Sequence, residues 1–309
     1  MPDCYDLKKA FISAYQDLLD FYQSLEKGSI VNPNGKPLVY RNEQYLYSEA
    51  IMKALLDNKI LIFEAGVGTG KSIGYLLPIF FSMKNGKEVF KKVIISTSSI
   101  ALQRQLKNDI KTVSKLLEFD IDVSISKGNG NYACYQEITN AMNRSSDNNT
   151  YKKLSEIRDY IIGLSSWDRD AMDSELVNPF WDSISLKSRT LCKECEIKQI
   201  CPFYREQARI GQSNKPEIII LNNAKLSAAL RQENSELITS ADAIIIDEAH
   251  TLIPQMRLTG EGTINFANLE RILNNYIIPK FYESFQQTKA RGLISEFRQL
   301  NTDTIAQQG

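Results

Sequence analysis

The hydrophobic positions of this chain repeat with two different periods, and the changes from one period to the other mark out its elements. Leu7, Phe11, Tyr15, Leu18, Tyr22 and Leu25 return every three or four residues, the single stripe of an amphipathic helix that packs on the chain's own core or on a partner helix. Gly28 to Pro37 carries two glycines, two prolines and two asparagines and reads as a turn-rich connection. A second amphipathic run ends near Leu56, and the short apolar run Ile60 to Phe63, closed by a glycine-rich turn, predicts a buried strand. Helical spacing follows at once in Ile73, Leu76, Leu77, Phe80 and Phe81.

The same alternation continues. Val93-Ile94-Ile95 predicts a strand, and Leu102, Leu106, Ile110, Val113 and Leu117 predict the helix after it. Val123 to Ile125 predicts another strand. The rhythm then breaks, with a polar stretch, a helical segment through Leu154, Ile157, Ile161 and Leu164, and two tryptophans, Trp167 and Trp181. It resumes in a strand at Glu217 to Leu221 and in Ala243-Ile244-Ile245-Ile246, whose unbroken apolar run predicts a central buried strand. Leu269, Ile272, Leu273 and Tyr276 give a helical pattern beyond Thr259, broken at Pro279. Short apolar strands alternating with helices predict an α/β fold around a parallel sheet. The expected organisation is a helical extension over 1–40, an α/β domain over 41–130 and 211–259, an insertion over 131–210, and a helical segment over 260–309.

Composition narrows this picture slightly. Of 309 residues 43% are apolar and 24% charged, within the range of ordinary globular proteins. Lys plus Arg equals Asp plus Glu at 37 each, so any basic surface has to be local. No apolar run approaches the roughly 18–20 residues of a membrane span, and acidic Asp3 and Asp6 do not suit a signal peptide, which leads to the expectation of a cytoplasmic protein. Five cysteines cannot all pair, and four of them cluster, which favours a metal over disulfides.

The chemistry sits in the turns. Ala65-Gly66-Val67-Gly68-Thr69-Gly70-Lys71-Ser72 lies between a predicted strand and a helix, the context in which glycines turn backbone N–H groups onto a phosphate. Lys71 would reach the β- and γ-phosphates of ATP, and the Ser72 hydroxyl would take a place on Mg2+. Asp247-Glu248 after an apolar strand supplies the matching carboxylates: Asp247 for Mg2+, Glu248 to orient and deprotonate the attacking water. Gln44, upstream of the loop, has the amide geometry that reads an adenine edge. Cys134, Cys192, Cys195 and Cys201 form one four-thiolate set able to hold zinc or an iron-sulfur cluster, whereas Cys4 stands apart. Arg104, Lys107, Lys111 and Lys115 fall at helical intervals, as a solvated face or as a track for a phosphate backbone.

Taken together, these motifs resemble the XPD/DinG iron-sulfur helicases of superfamily 2. Glu64 to Ser72 is similar to their motif I, Ser96-Thr97 with Leu102-Gln103 to motif Ia, and Asp247-Glu248-Ala249-His250 to their DEAH box, in which His250 is the coupling residue. Asn222-Asn223-Ala224 resembles the asparagine-rich segment before that box. The approach to Cys134, Trp167-Asp168 and Cys201-Pro202-Phe203 look most like the bacterial DinG branch. The resemblance covers about residues 41 to 258. It implies a RecA-like P-loop domain carrying a 4Fe-4S cluster on the four cysteines, and ATP-driven unwinding of single-stranded or forked DNA with 5′ to 3′ polarity in repair or replication. The family's second motor domain and its γ-phosphate-reaching arginines are not expected among residues 260–309, and neither is a preceding exonuclease domain. The expectation is therefore an N-terminal helicase portion, weakly active or inactive alone, its second motor domain either lost or encoded on another chain as a partner; the alternative is a non-hydrolytic ATP- and DNA-binding module.

Overall fold

The computed structural model describes residues 4–260, except 34, 67, 189–191, 193, 194 and 232–234. Four parallel strands, β1 (Lys92–Thr97), β2 (Asp122–Ser126), β3 (Glu217–Asn222) and β4 (Ala243–Ile246), make one sheet in the order β2-β3-β1-β4. The register pairs Ile94 with Ile219 of β3 on one side and with Ile244 of β4 on the other. Val93, Ile94 and Ile95 and then Ile218, Ile219 and Ile220 are buried, as strands covered on both faces require.

Four helices precede or follow β1: α1 (Cys4–Glu26), α2 (Asn42–Leu56), α3 (Lys71–Asn85) and α4 (Ile100–Leu116). The α1 stripe delivers Phe11, Leu18, Tyr22 and Leu25 into a core shared with Leu76, Leu77 and Phe80 of α3 and Val93, Ile95, Ile218 and Ile220 of the sheet. Helix α3 is buried from Gly74 through Met83, so its sequence is apolar on every side. It contains Pro78, which has no N–H to give to the Gly74 carbonyl one turn back. The Ser48 hydroxyl of α2 donates to that carbonyl instead, at 2.6 Å. Such a close approach of α2 requires the glycine, because a Cβ on Gly74 would lie 2.8 Å from the Tyr47 ring.

Between β2 and β3 the chain builds a separate apolar cluster from Ile138, Leu154, Ile157, Ile161, Trp167, Val177, Trp181 and Ile184. Helices α5 (Tyr135–Arg144) and α6 (Asn148–Ile162) supply half of it, and α6 starts where the Asp147 carboxylate accepts from the N–H groups of Asn149 and Thr150. Helix α7 (Pro202–Arg209) precedes β3, α8 (Asn223–Leu230) leaves it, and α9 (Leu252–Gly260) follows the turn after β4.

Two expectations fail. Ile60 to Glu64 is not a strand: its backbone is irregular, and Ile60 and Ile62 are 96% and 94% exposed. Nor is β4 central. It is the last strand of the sheet, and Ile244 is 38% exposed. Both follow from one cause, since a strand is completed by a neighbouring edge and no described strand lies along the outer side of β4. The helical pattern at residues 260–309 falls outside the described residues except for Gly260.

Candidate nucleotide site

The glycine-rich loop runs straight into α3. Gly68 and Gly70 have φ of 83° and 78°, the left-handed region where a Cβ is disfavoured, and Gly70 is the residue that caps the helix. Ala65, Gly66 and Thr69 complete the described part of the turn, which the Thr69 hydroxyl braces by donating to the Gly66 carbonyl at 3.0 Å. Val67, in the same loop, lies outside the described residues. Lys71 and Ser72 are the first two residues of α3, so the helix N-terminus faces the place the loop encloses.

Across from it, β4 ends at Asp247 and Glu248. The Asp247 N–H donates to the Ser96 carbonyl of β1 at 2.8 Å, which continues the sheet ladder by one residue. Glu248 leaves the strand with φ 52° and ψ 50°, a left-handed turn that swings its side chain towards the loop. Lys71 Nζ lies 3.0 Å from Glu248 Oε1, joining residues 177 positions apart. Both side chains are about one-third exposed, at 32% and 35%, so the contact is open to an incoming ligand. Burial pushes the Asp247 carboxyl above its ordinary value, the Glu248 carboxylate adds to this, and Lys71 opposes it. His250 Nδ1 is 3.5 Å from Glu248 Oε2, on an exposed side chain.

Gln44 is buried against the loop, and its Nε2 donates to the Gly70 carbonyl at 3.0 Å. Arg41 donates to the Gly68 carbonyl beside it. The amide expected to read adenine thus holds the backbone of the glycine-rich loop.

The four clustered cysteines line a single cavity together with Trp167 and Phe203. Cys134 and Cys201 each occupy the position just before a helix, α5 and α7 respectively. Burial pushes the Cys134 thiol up to about 11, against the N–H groups of Glu137 and Gln136. Among the described residues no three His, Cys, Asp or Glu stand close enough to hold one metal ion.

The basic stripe of α4 divides. Arg104 pairs with Asp170 at 2.5 Å, Lys107 is half-buried, and Lys111 and Lys115 are exposed. Sequence patterning did not single out Lys127, only 5% exposed at the end of β2, which is ion-paired with Asp168 and with Asp170 at 3.0 Å. Nor did it reveal the broad groove lined by Asn129, Asn131, Asn222 and Lys225 at the carboxyl ends of β2 and β3. Residues that meet only in three dimensions leave no local signal.

Residues 46–159 match the DEAD/DEAH box helicase family. The chain is 31% identical over 230 residues to the ATP-dependent DNA helicase YoaA of Escherichia coli, covering 71% of this chain and 34% of that protein. It is 26% identical over 278 residues to the ATP-dependent helicase DinG of Mycobacterium tuberculosis, covering 81% and 40% respectively. Against the 3'-5' exonuclease DinG of Bacillus subtilis it is 28% identical over 218 residues, covering 68% and 22%. The chain thus spans between 22% and 40% of the length of these curated relatives.

Proposed function

We propose that this chain, which carries a DEAD/DEAH box helicase domain, is the ATP-binding portion of a DNA helicase motor. The observation that carries this reading is the 3.0 Å contact between Lys71 and Glu248. An amine at the head of a glycine loop and a carboxylate after an apolar strand have been brought to one point across most of the chain. ATP would seat its β- and γ-phosphates on the loop N–H groups and the α3 N-terminus, and Lys71 would turn from Glu248 to the γ-phosphate. Glu248, released, would accept a proton from a water aimed at the γ-phosphorus as the bond to ADP breaks. Ser72 and Asp247 would hold Mg2+, which neutralises charge on the phosphate oxygens. Gln44 braces the loop by holding the Gly70 carbonyl, and its carbonyl oxygen would accept from an adenine amino group.

Substrate and compartment are proposals of the same kind. DNA is what the relatives' names and the motif resemblance support, and the 5′ to 3′ direction rests on the resemblance alone. Lys111 and Lys115, together with the amide-lined groove beside Lys225, would carry its backbone. Among the described residues no helix is long and apolar enough to cross a membrane, compatible with action in the cytoplasm.

The cysteine cavity would hold a 4Fe-4S cluster. Its support is that the four thiols line one cavity and that the motif resemblance implies a cluster on these four cysteines. Such a cluster would cross-link the segment before α5 to α7 and give the insertion rigidity. Protein purified without oxygen is expected to be brown, with iron and sulfide in equal amounts; a colourless zinc protein would dismiss the cluster.

The nucleotide reading is tested by titrating a fluorescent ATP analogue into the protein with and without Mg2+. Saturable, Mg2+-dependent binding that Lys71→Ala weakens at least about tenfold is expected. Binding unaffected by that substitution would reject the assignment.

A further inference from the structure

Glu248 is one of three described non-glycine residues with positive φ, the others being Asn58 and Glu118. Those two come directly after the capping residues of α2 and α4, where a left-handed residue is the ordinary way for a helix to stop. Glu248 follows a strand, so its conformation needs another explanation.

The structure holds it from one side. The Glu248 carbonyl accepts twice from Thr251, from its N–H and from its hydroxyl, each at 2.9 Å. Since the hydroxyl has one hydrogen and spends it on Glu248, its oxygen is left to accept, and Asn223 Nδ2 donates to it at 2.6 Å. The Asn223 carbonyl oxygen in turn accepts from the Ser96 hydroxyl. Ser96 and Asn223 are buried to 0% and 1% exposure, and they belong to β1 and α8 respectively. Three side chains from three elements therefore form a one-way series of hydrogen bonds ending on the Glu248 main chain, and members of such a series polarise one another. The main chain of Ser96 also accepts from Asp247, so both acidic residues are referenced to one residue of the sheet.

We propose that Ser96, Asn223 and Thr251 are positioning residues that hold Glu248 in its left-handed turn and thereby aim its carboxylate at the nucleotide. The inference rests on the assignment of Glu248 as the base for ATP hydrolysis. Its chemistry is specific: the chain needs a hydroxyl at 251 and an amide, donor on one side and acceptor on the other, at 223.

Thr251→Val keeps the shape and the main-chain N–H but removes both side-chain bonds; Thr251→Ser keeps them. Single-turnover ATP hydrolysis by the Thr251→Val protein is expected to slow about tenfold while Mg-ATP affinity stays within about twofold, and Thr251→Ser and Asn223→Asp should behave like wild type and like Thr251→Val respectively. On a Glu248→Gln background Thr251→Val should cause no further loss, because the group being aimed is already gone; a residue that merely supports the fold would cost as much there as in the wild type. In labelled, nucleotide-free protein the amide-to-α-proton coupling of Glu248 should change with Thr251→Val and not with Thr251→Ser. Wild-type turnover in Thr251→Val, or an equal loss on both backgrounds, would overturn the proposal. If wild-type protein fails to bind Mg-ATP, or hydrolyses it and Glu248→Gln hydrolyses it as fast, the functional reading itself falls and this inference with it; if wild-type protein binds Mg-ATP without turning it over, the Glu248 coupling alone decides, and a coupling unchanged in Thr251→Val overturns the proposal.

Discussion

Gly70 serves the site twice, through its backbone angle and through the space it leaves. Its φ of 78° is left-handed, and an added Cβ would sit 2.3 Å from Gln44 Nε2. Gln44 is a flexible side chain and can retreat, which relieves the clash but gives up its bond to the Gly70 carbonyl. The backbone angle cannot be relieved so easily. Gly70→Ala is therefore expected to cost about 1–2 kcal/mol of stability, read from urea midpoints, and to weaken Mg-ATP binding by releasing the loop. An alanine variant with wild-type midpoint and affinity would show that neither feature matters. Ser48 is a comparable case at a buried position beside the Tyr22 hydroxyl, because its own hydroxyl supplies the bond that Pro78 denies to the Gly74 carbonyl. Ser48→Ala leaves a buried carbonyl without its donor and should cost about 1–3 kcal/mol, measured the same way. The sequence announced the proline and the glycines. It did not announce that Ser48 and Gln44, from the preceding helix, serve them, since that pairing depends on how α2 crosses α3.

Elements differ in how far their fate is local. The stripes of α1 and α4 were legible because a helix closes its own hydrogen bonds and needs only one apolar face. Strands β1 and β3 were legible as apolar runs and β2 as the alternation from Val123 to Ile125, and all three found neighbours in the sheet. The run Ile60 to Phe63 is equally apolar, yet it lies exposed, and β4 occupies an edge. Amide hydrogen exchange separates these cases: residues 60–64 should exchange quickly, while Val93 to Ile95 should be protected close to the global limit. Substitution should agree with exchange. Ile62→Ala is expected to change stability by less than about 0.5 kcal/mol, whereas Ile94→Ala, fully buried, should cost about 2–5 kcal/mol. Strong protection at 60–64 in the isolated protein would mean that this segment has found a sheet edge in solution.

At the scale of the whole molecule, the segment between β2 and β3 is fastened to the sheet by charge as well as by chain connection. Lys127, buried at the end of β2, is paired with Asp168 and Asp170 of that segment, and Arg104 of α4 reaches the same Asp170. Burial opposes the charge on Asp170, but hydrogen bonds from Lys127 and Arg104 outweigh it and hold its carboxyl below the ordinary value. A carboxyl with a depressed folded pKa stabilises above its unfolded value, about 3.9, and loses that contribution as pH falls through the folded value. Asp170→Asn should flatten this part of the acid-unfolding curve while leaving the shape above about pH 5 unchanged. Lys127→Met should cost about 2 kcal/mol at neutral pH, less than for a fully buried pair because its partners are partly exposed. An acid curve identical to wild type in Asp170→Asn would remove the cluster from the account. The sequence alone determined the α/β alternation, the glycine-rich loop with its lysine, the two carboxylates after β4 and the four grouped cysteines, because each is written within a few consecutive residues or in the repeat of one element. Tertiary structure alone decided which apolar run is an edge, that Lys127 closes on Asp168 and Asp170, and that Ser96 and Asn223 reach Glu248 through Thr251. Strand partners and buried polar contacts join residues far apart in the chain, so they exist only once the elements have packed.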